Sequence, residues 1–273
     1  MMWLMFLPGL TTMSKRFRYF ISSLFSALGF FLFISLPYDS RYFGLMVGVV
    51  MVVFCFWFGL GIIFEKSIYT RVMSVLLPAG FFTGFGLFGA LLPYNTITAV
   101  IMSGLFGLVL YGMFLVENVF LVAIGFKTVP LYRAAYTVSL IFTLISAFFM
   151  FNTLFSFRLS FWSNGLWVLV ISVLVFLYQF WAIAIELPDD GKGKNIKLYV
   201  LIPSILMAEL AMFLSFWPTG IFKGSIYLVS AIYILSGLIS ADIRDRLFKR
   251  TTLQYVWVMV AVVAAALLIT SWK

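Results

Sequence analysis

The chain has 273 residues, of which 64% are hydrophobic and 10% charged, with a formal net charge of +9, one cysteine and no histidine. Soluble domains run at about 45–50% apolar and about 25% charged, so a water-soluble globule is excluded and most of the apolar surface must face lipid or other helices. The missing histidine removes Ser/His intramembrane proteolysis, HExxH metalloproteases, haem ligation and phosphohistidine phosphatases.

Several apolar runs reach about 20 residues, the length that crosses ~30 Å of hydrocarbon. The fold class is therefore all-α, a polytopic membrane helix bundle; a membrane β-barrel would show short alternating segments instead. Cys55 lies inside an apolar run and leaves no intrachain disulfide to form.

At the start, "MMWLMFLPGL" precedes the basic cluster Lys15, Arg16 and Arg18, which inverts the order of a signal peptide. Met13 offers a conventional start, "MSKRFRYF", so residues 1–12 read as an upstream-start extension or a short interfacial segment. Residues 1–18 are taken as a cytosolic tail and 19–273 as a single transmembrane domain. No A-x-A-like site follows the first apolar run, which reads as an uncleaved anchor.

Nine spans are expected, at about 19–36, 42–64, 72–92, 97–120, 134–156, 165–185, 198–217, 224–241 and 253–271. Their connections are short, as for tandem two-helix hairpins. Counting Lys and Arg at the span ends places fourteen on one side and four on the other. The positive-inside rule then puts the N-terminus in the cytosol and the C-terminus outside, in a cell membrane, with anionic lipid as the partner of the basic face and no nucleic acid.

The outer turns share a scheme. "LPYDS" (36–40) and "LPYNT" (92–96) form one pair, "LSFWSNG" (159–165) and "LSFWPTG" (214–220) another. Aromatic residues sit at the headgroup level, and Pro, Asn, Asp and Gly then reverse the chain. Convergence on that need explains the likeness, and so would descent from a repeated hairpin. The second reading gains from an offset of 125 residues that puts Pro78 on Pro203, Pro93 on Pro218 and Glu117 on Asp242. On that reading spans 3–5 are a parallel copy of spans 7–9.

Ionisable residues inside a membrane are the first functional candidates. Glu209 stands in the middle of "LIPSILMAELAMFLSFW", roughly 16 Å from the cytosolic start of its span. Its helical neighbours Ile205, Leu206, Met212 and Phe213 are apolar, while Ser204, Ala208, Ala211 and Ser215 form a small-residue stripe on another face. With both faces wanting protein or water, span seven is expected inside the bundle. Glu209 reads either as a proton or cation site, or as a neutral carboxyl hydrogen-bonded to Gln179 on span six.

Glu117 and Asn118 fall near the end of a thirty-residue apolar run, Ile97 to Phe126. Either one long tilted helix carries Glu117 in the cytosolic half, or the stretch after Asn118 lies at the interface; Arg133 is the candidate ion-pair partner. "ADIRDRLFKR" (241–250) adds Asp242, Arg244 and Asp245, a cap for span eight or a phosphate-binding group. The glycines Gly80, Gly84, Gly86, Gly89, Gly104 and Gly107 read as helix-packing surfaces. "GKGK" (191–194) lacks the strand and spacing of a P-loop and reads as a basic loop.

An aromatic-acceptor prenyltransferase would need Asp-rich Mg²⁺ motifs on two cytosolic loops, and "EKSIYTR" (65–71) has no aspartate. No catalytic residue, metal site or cofactor is expected. The functional classes left open are a transporter-like carrier of a small solute or ion, an accessory or structural subunit of a larger membrane complex, and an enzyme acting on lipid-linked substrates through Glu117, Asp242 and Asp245.

Overall fold

The computed structural model describes residues 14–62, 67–93, 95–125, 130–187, 196–218 and 220–269. The expectations for residues 1–12 and for the 191–194 loop fall outside these. The described residues form nine long helices and no strand: α1 Lys15–Ser35, α2 Arg41–Leu60, α3 Ile68–Ala90, α4 Thr96–Gly125, α5 Tyr132–Ser156, α6 Phe161–Ala184, α7 Ile196–Phe216, α8 Ile221–Ile243 and α9 Lys249–Ile269. Each is long and apolar enough to cross a membrane. Hydrocarbon offers no partner for a free N–H or C=O, so each run satisfies its backbone within its own helix.

The helix ends follow local chemistry. Asn95 Oδ1 accepts the Thr98 N–H at 2.8 Å, and Ser67 Oγ accepts the Thr70 N–H at 3.3 Å, capping α4 and α3. Gly61 ends α2 in the left-handed region, at φ 70°. α2 therefore stops at Leu60, short of the expected 64. α4 has the opposite outcome. It is one unbroken 30-residue helix through Asn118 to Gly125, so the interfacial alternative for that stretch is replaced by the long helix.

Two modes of packing hold the bundle. In the N-terminal half, α1, α3 and α4 meet through phenylalanines: Phe30 stacks on Phe106 at 4.5 Å, and Phe81 lies parallel to Phe106 at 5.5 Å. Phe56 of α2 stacks on Phe114 of α4 at 3.9 Å. Such offset pairs add about 0.5–1.5 kcal/mol each beyond the area they bury. α3 approaches α5 at Gly84, where a Cβ would meet the Ser146 carbonyl oxygen at 3.0 Å.

In the C-terminal half, α7 lays its small-residue stripe on α6. Ser204, Ala208 and Ala211 are buried there, and a Cβ on Gly165 of α6 would press on Met212 at 2.6 Å. The glycines of α3 and Gly107 of α4 that have described neighbours line helix contacts. Gly104 does not: nothing stands within 4 Å of where its Cβ would be. α9 packs on α8 at the edge of the bundle, and none of its membrane-length window is buried.

Pro78 and Pro203 both lie inside their helices, α3 and α7. The triplets α3–α5 and α7–α9 pack differently, however. α3 lies directly on α5, whereas α9 rests on α8 and an apolar groove separates it from α7.

Candidate functional site

The helix ends that carry Arg133 and Arg244 come together at one end of the bundle, here the basic end. Arg133 opens α5, Glu186 follows α6 and Arg244 follows α8, and the three meet. Arg244 Nη2 lies 3.0 Å from Glu186 Oε2, and Arg133 Nε lies 3.9 Å from Glu186 Oε1. Arg133 is 71% exposed, but Arg244 and Glu186 are only 21% and 29% exposed. The Arg244 guanidinium also stands over the Tyr136 ring at 4.7 Å, a cation–π contact.

Behind this ion pair the polar chain continues inward. Tyr132, in the first turn of α5, is buried, with its ring 5.4 Å from that of Phe120 of α4. Glu117 has no exposed surface. It sits about 12 Å along α4 from Gly125, at 1.5 Å per residue, and its Oε1 accepts the Tyr178 hydroxyl at 2.6 Å. Among the described residues, Glu117 Oε2 and the Tyr132 hydroxyl have no hydrogen-bond partner, and no cation pairs with Glu117. A buried donor and a buried acceptor left open each carry about 1–3 kcal/mol of desolvation.

Beyond Tyr178 a cavity of about 240 Å³ opens between α3, α5 and α6. Tyr178, Thr143, Ser146 and Thr83 give it polar lining. Gln179 donates to Thr143 Oγ1 at 2.8 Å. Glu186 and Arg244 thus lie at the basic end, and Glu117 is joined through Tyr178 to the cavity.

Several expectations change against this geometry. Arg133 pairs with Glu186 and not with Glu117, because Glu117 lies deeper in the bundle. Gln179 turns to Thr143, not to Glu209. Glu209 itself is exposed on the outside of α7, so α7 is not an interior helix: its stripe faces α6 and the opposite side faces out.

The residues grouped at the basic end separate. Arg133 and Arg244 share Glu186, Asp242 accepts from the Tyr199 hydroxyl of α7, and Asn118 accepts from Tyr19 of α1 at 2.9 Å. Asp245, exposed, occupies a left-handed position with φ 53° in the turn after α8. Of the carboxylates of the enzyme reading, Glu117 thus stands apart, while Asp242 and Asp245 share one turn, where the Asp245 N–H donates to the Asp242 carbonyl at 3.0 Å. Glu186, Tyr132 and Tyr178 are the residues that sequence reading passed over. Glu186 had a usable signal: it ends a span at the boundary where Arg133 and Arg244 begin and end theirs.

Fold and site together define a helical, multi-pass integral membrane protein with an enclosed carboxyl in its interior. The chain belongs to the family described as "Protein of unknown function (DUF5656)", which it matches over residues 64–269. That stretch holds α3 to α9, and with them Glu117, Tyr178, Glu186 and Arg244. No curated protein and no solved structure matches the chain.

Proposed function

We propose that the protein is a carrier of a small solute driven by protons, with Glu117 as the proton-binding group. The observations that carry this reading are a fully buried carboxyl with an open acceptor, Glu117 Oε2, and a buried, unpartnered hydroxyl, Tyr132, on the adjacent helix α5. A carboxylate in hydrocarbon with no cationic side chain beside it needs a proton or a cation as companion. The proton fits best. A bare metal cation would need more oxygen ligands than Glu117 and Tyr132 supply, and neither open atom has solvent-accessible space for hydrating water.

The partly exposed Glu186–Arg244 pair and Tyr132 would pass the proton from the basic end. Tyr178 would link it to the cavity where the solute binds. By the positive-inside rule the basic end faces the cytosol, against anionic lipid.

The test is flux in proteoliposomes. Glu117→Gln keeps the shape of the side chain and an acceptor for Tyr178, so the variant should purify and melt as the native chain does. Uptake of its solute, screened over a panel of small ions and metabolites under a pH gradient, should fall to background. Equal pH-driven uptake by both forms would remove Glu117 from coupling.

A further inference from the structure

Glu209 lies at the centre of the outward face of α7, flanked by exposed Ile202, Ile205, Leu206, Phe213 and Phe216. It is ~20 Å along the helix from the basic end and ~10 Å from the other. A short carboxyl side chain cannot reach either headgroup layer from there. Lipid tails offer it no hydrogen bond, and a polar group left so in hydrocarbon carries a penalty of several kcal/mol.

The described residues supply no local remedy. On the described helices every Lys and Arg lies in the first or last turn or in a connecting turn. Gln179, Asn152 and Asn164 are buried elsewhere. With none among the described residues, a partner for Glu209 is to be sought beyond them, at the same depth, on a face that accepts bulky aliphatic and aromatic side chains.

A second copy of this chain meets all three conditions. Copies inserted in one orientation can form a closed pair only about a two-fold axis along the membrane normal, and such an interface is self-complementary. Two α7 helices then run parallel, and Glu209 of each copy arrives at the depth of the other. Each carboxyl in its acid form can donate its O–H to an oxygen of the other, which satisfies a donor and an acceptor on both sides at once. Interhelical hydrogen bonds of polar side chains are an established source of association between membrane helices.

We infer that the protein is a homodimer through the outward face of α7, pinned by a Glu209–Glu209 carboxyl pair. The interface is independent of the Glu117 site, which faces the opposite interior of the bundle toward α6.

The experiment measures subunit number in liposomes at low protein-to-lipid ratio, by single-molecule photobleaching of the full chain with Cys55→Ser and one added label. The native residue at 209 should give predominantly two steps. Glu209→Gln should keep the dimer, because paired amides retain a donor and an acceptor, whereas Glu209→Leu should shift the population to one step, lowering the association constant at least tenfold. Oxidative cross-linking then locates the face. Ile205→Cys should cross-link, and Leu108→Cys, exposed on α4, should not. Single-step bleaching of the native chain, a Glu209→Leu dimer as strong as the native one, or cross-linking through position 108 instead of 205 would each overturn the inference.

Discussion

Tyr132 and Tyr178 are both buried tyrosines at the basic half of the bundle, yet their hydroxyls stand in opposite situations. Tyr178 donates to Glu117, while Tyr132 has no partner among the described residues. Removing one member of a satisfied buried pair strands the other, at about 1–3 kcal/mol. Tyr178→Phe should therefore lower the thermal stability of the detergent-solubilised protein by that amount. Tyr132→Phe deletes a group that was already unsatisfied and should be neutral or slightly stabilising. In the transport assay the order should reverse its meaning: Tyr132→Phe should slow proton-driven uptake without any loss of stability. A Tyr132→Phe protein that melts as early as Tyr178→Phe would show that the Tyr132 hydroxyl is bonded after all.

Among the helices, α3 and α4 show how one residue type serves two ends. Gly84 of α3 faces the Ser146 carbonyl and Met150 of α5, with Cβ space closed at 3.0 Å and 2.9 Å. The carbonyl belongs to the backbone and cannot swing aside, so Gly84→Ala should force the two helices apart and cost about 1–3 kcal/mol of overpacking. Gly104 of α4 has open space around it. There the same change to alanine removes only the entropic disadvantage of glycine in a helix and should stabilise by about 0.5–1 kcal/mol. Melting temperatures of the two variants should move in opposite directions, and a fall for both would mean that Gly104 touches something beyond the described residues. The sequence marks all these glycines as packing surfaces alike. Nothing in an apolar run tells a glycine beneath a neighbouring helix from one facing lipid.

For the whole molecule, the fourteen-to-four division of Lys and Arg has its own expected outcome. A cytosol-dependent reporter fused after Lys273 should be silent, and an externally active one should work. The reverse pattern would overturn either the odd number of crossings or the direction of insertion. The number and order of the helices, their approximate ends and the small-residue stripe on α7 were all legible in the sequence, though not which helix the stripe meets. Hydrocarbon forces each crossing segment to be long, apolar and internally hydrogen-bonded, so span after span is written into composition alone. The facing of each helix was not legible. In water an amphipathic stripe separates core from surface, but lipid tails are as apolar as the helix contacts they surround. Glu117 and Glu209 therefore looked alike as carboxyls in apolar runs. Only the packing turned the first inward onto Tyr178 and the second out of the bundle. The same limit concealed Glu186, whose pairing with Arg244 depends on α6 and α8 ending side by side, a neighbour relation that no run of apolar residues specifies.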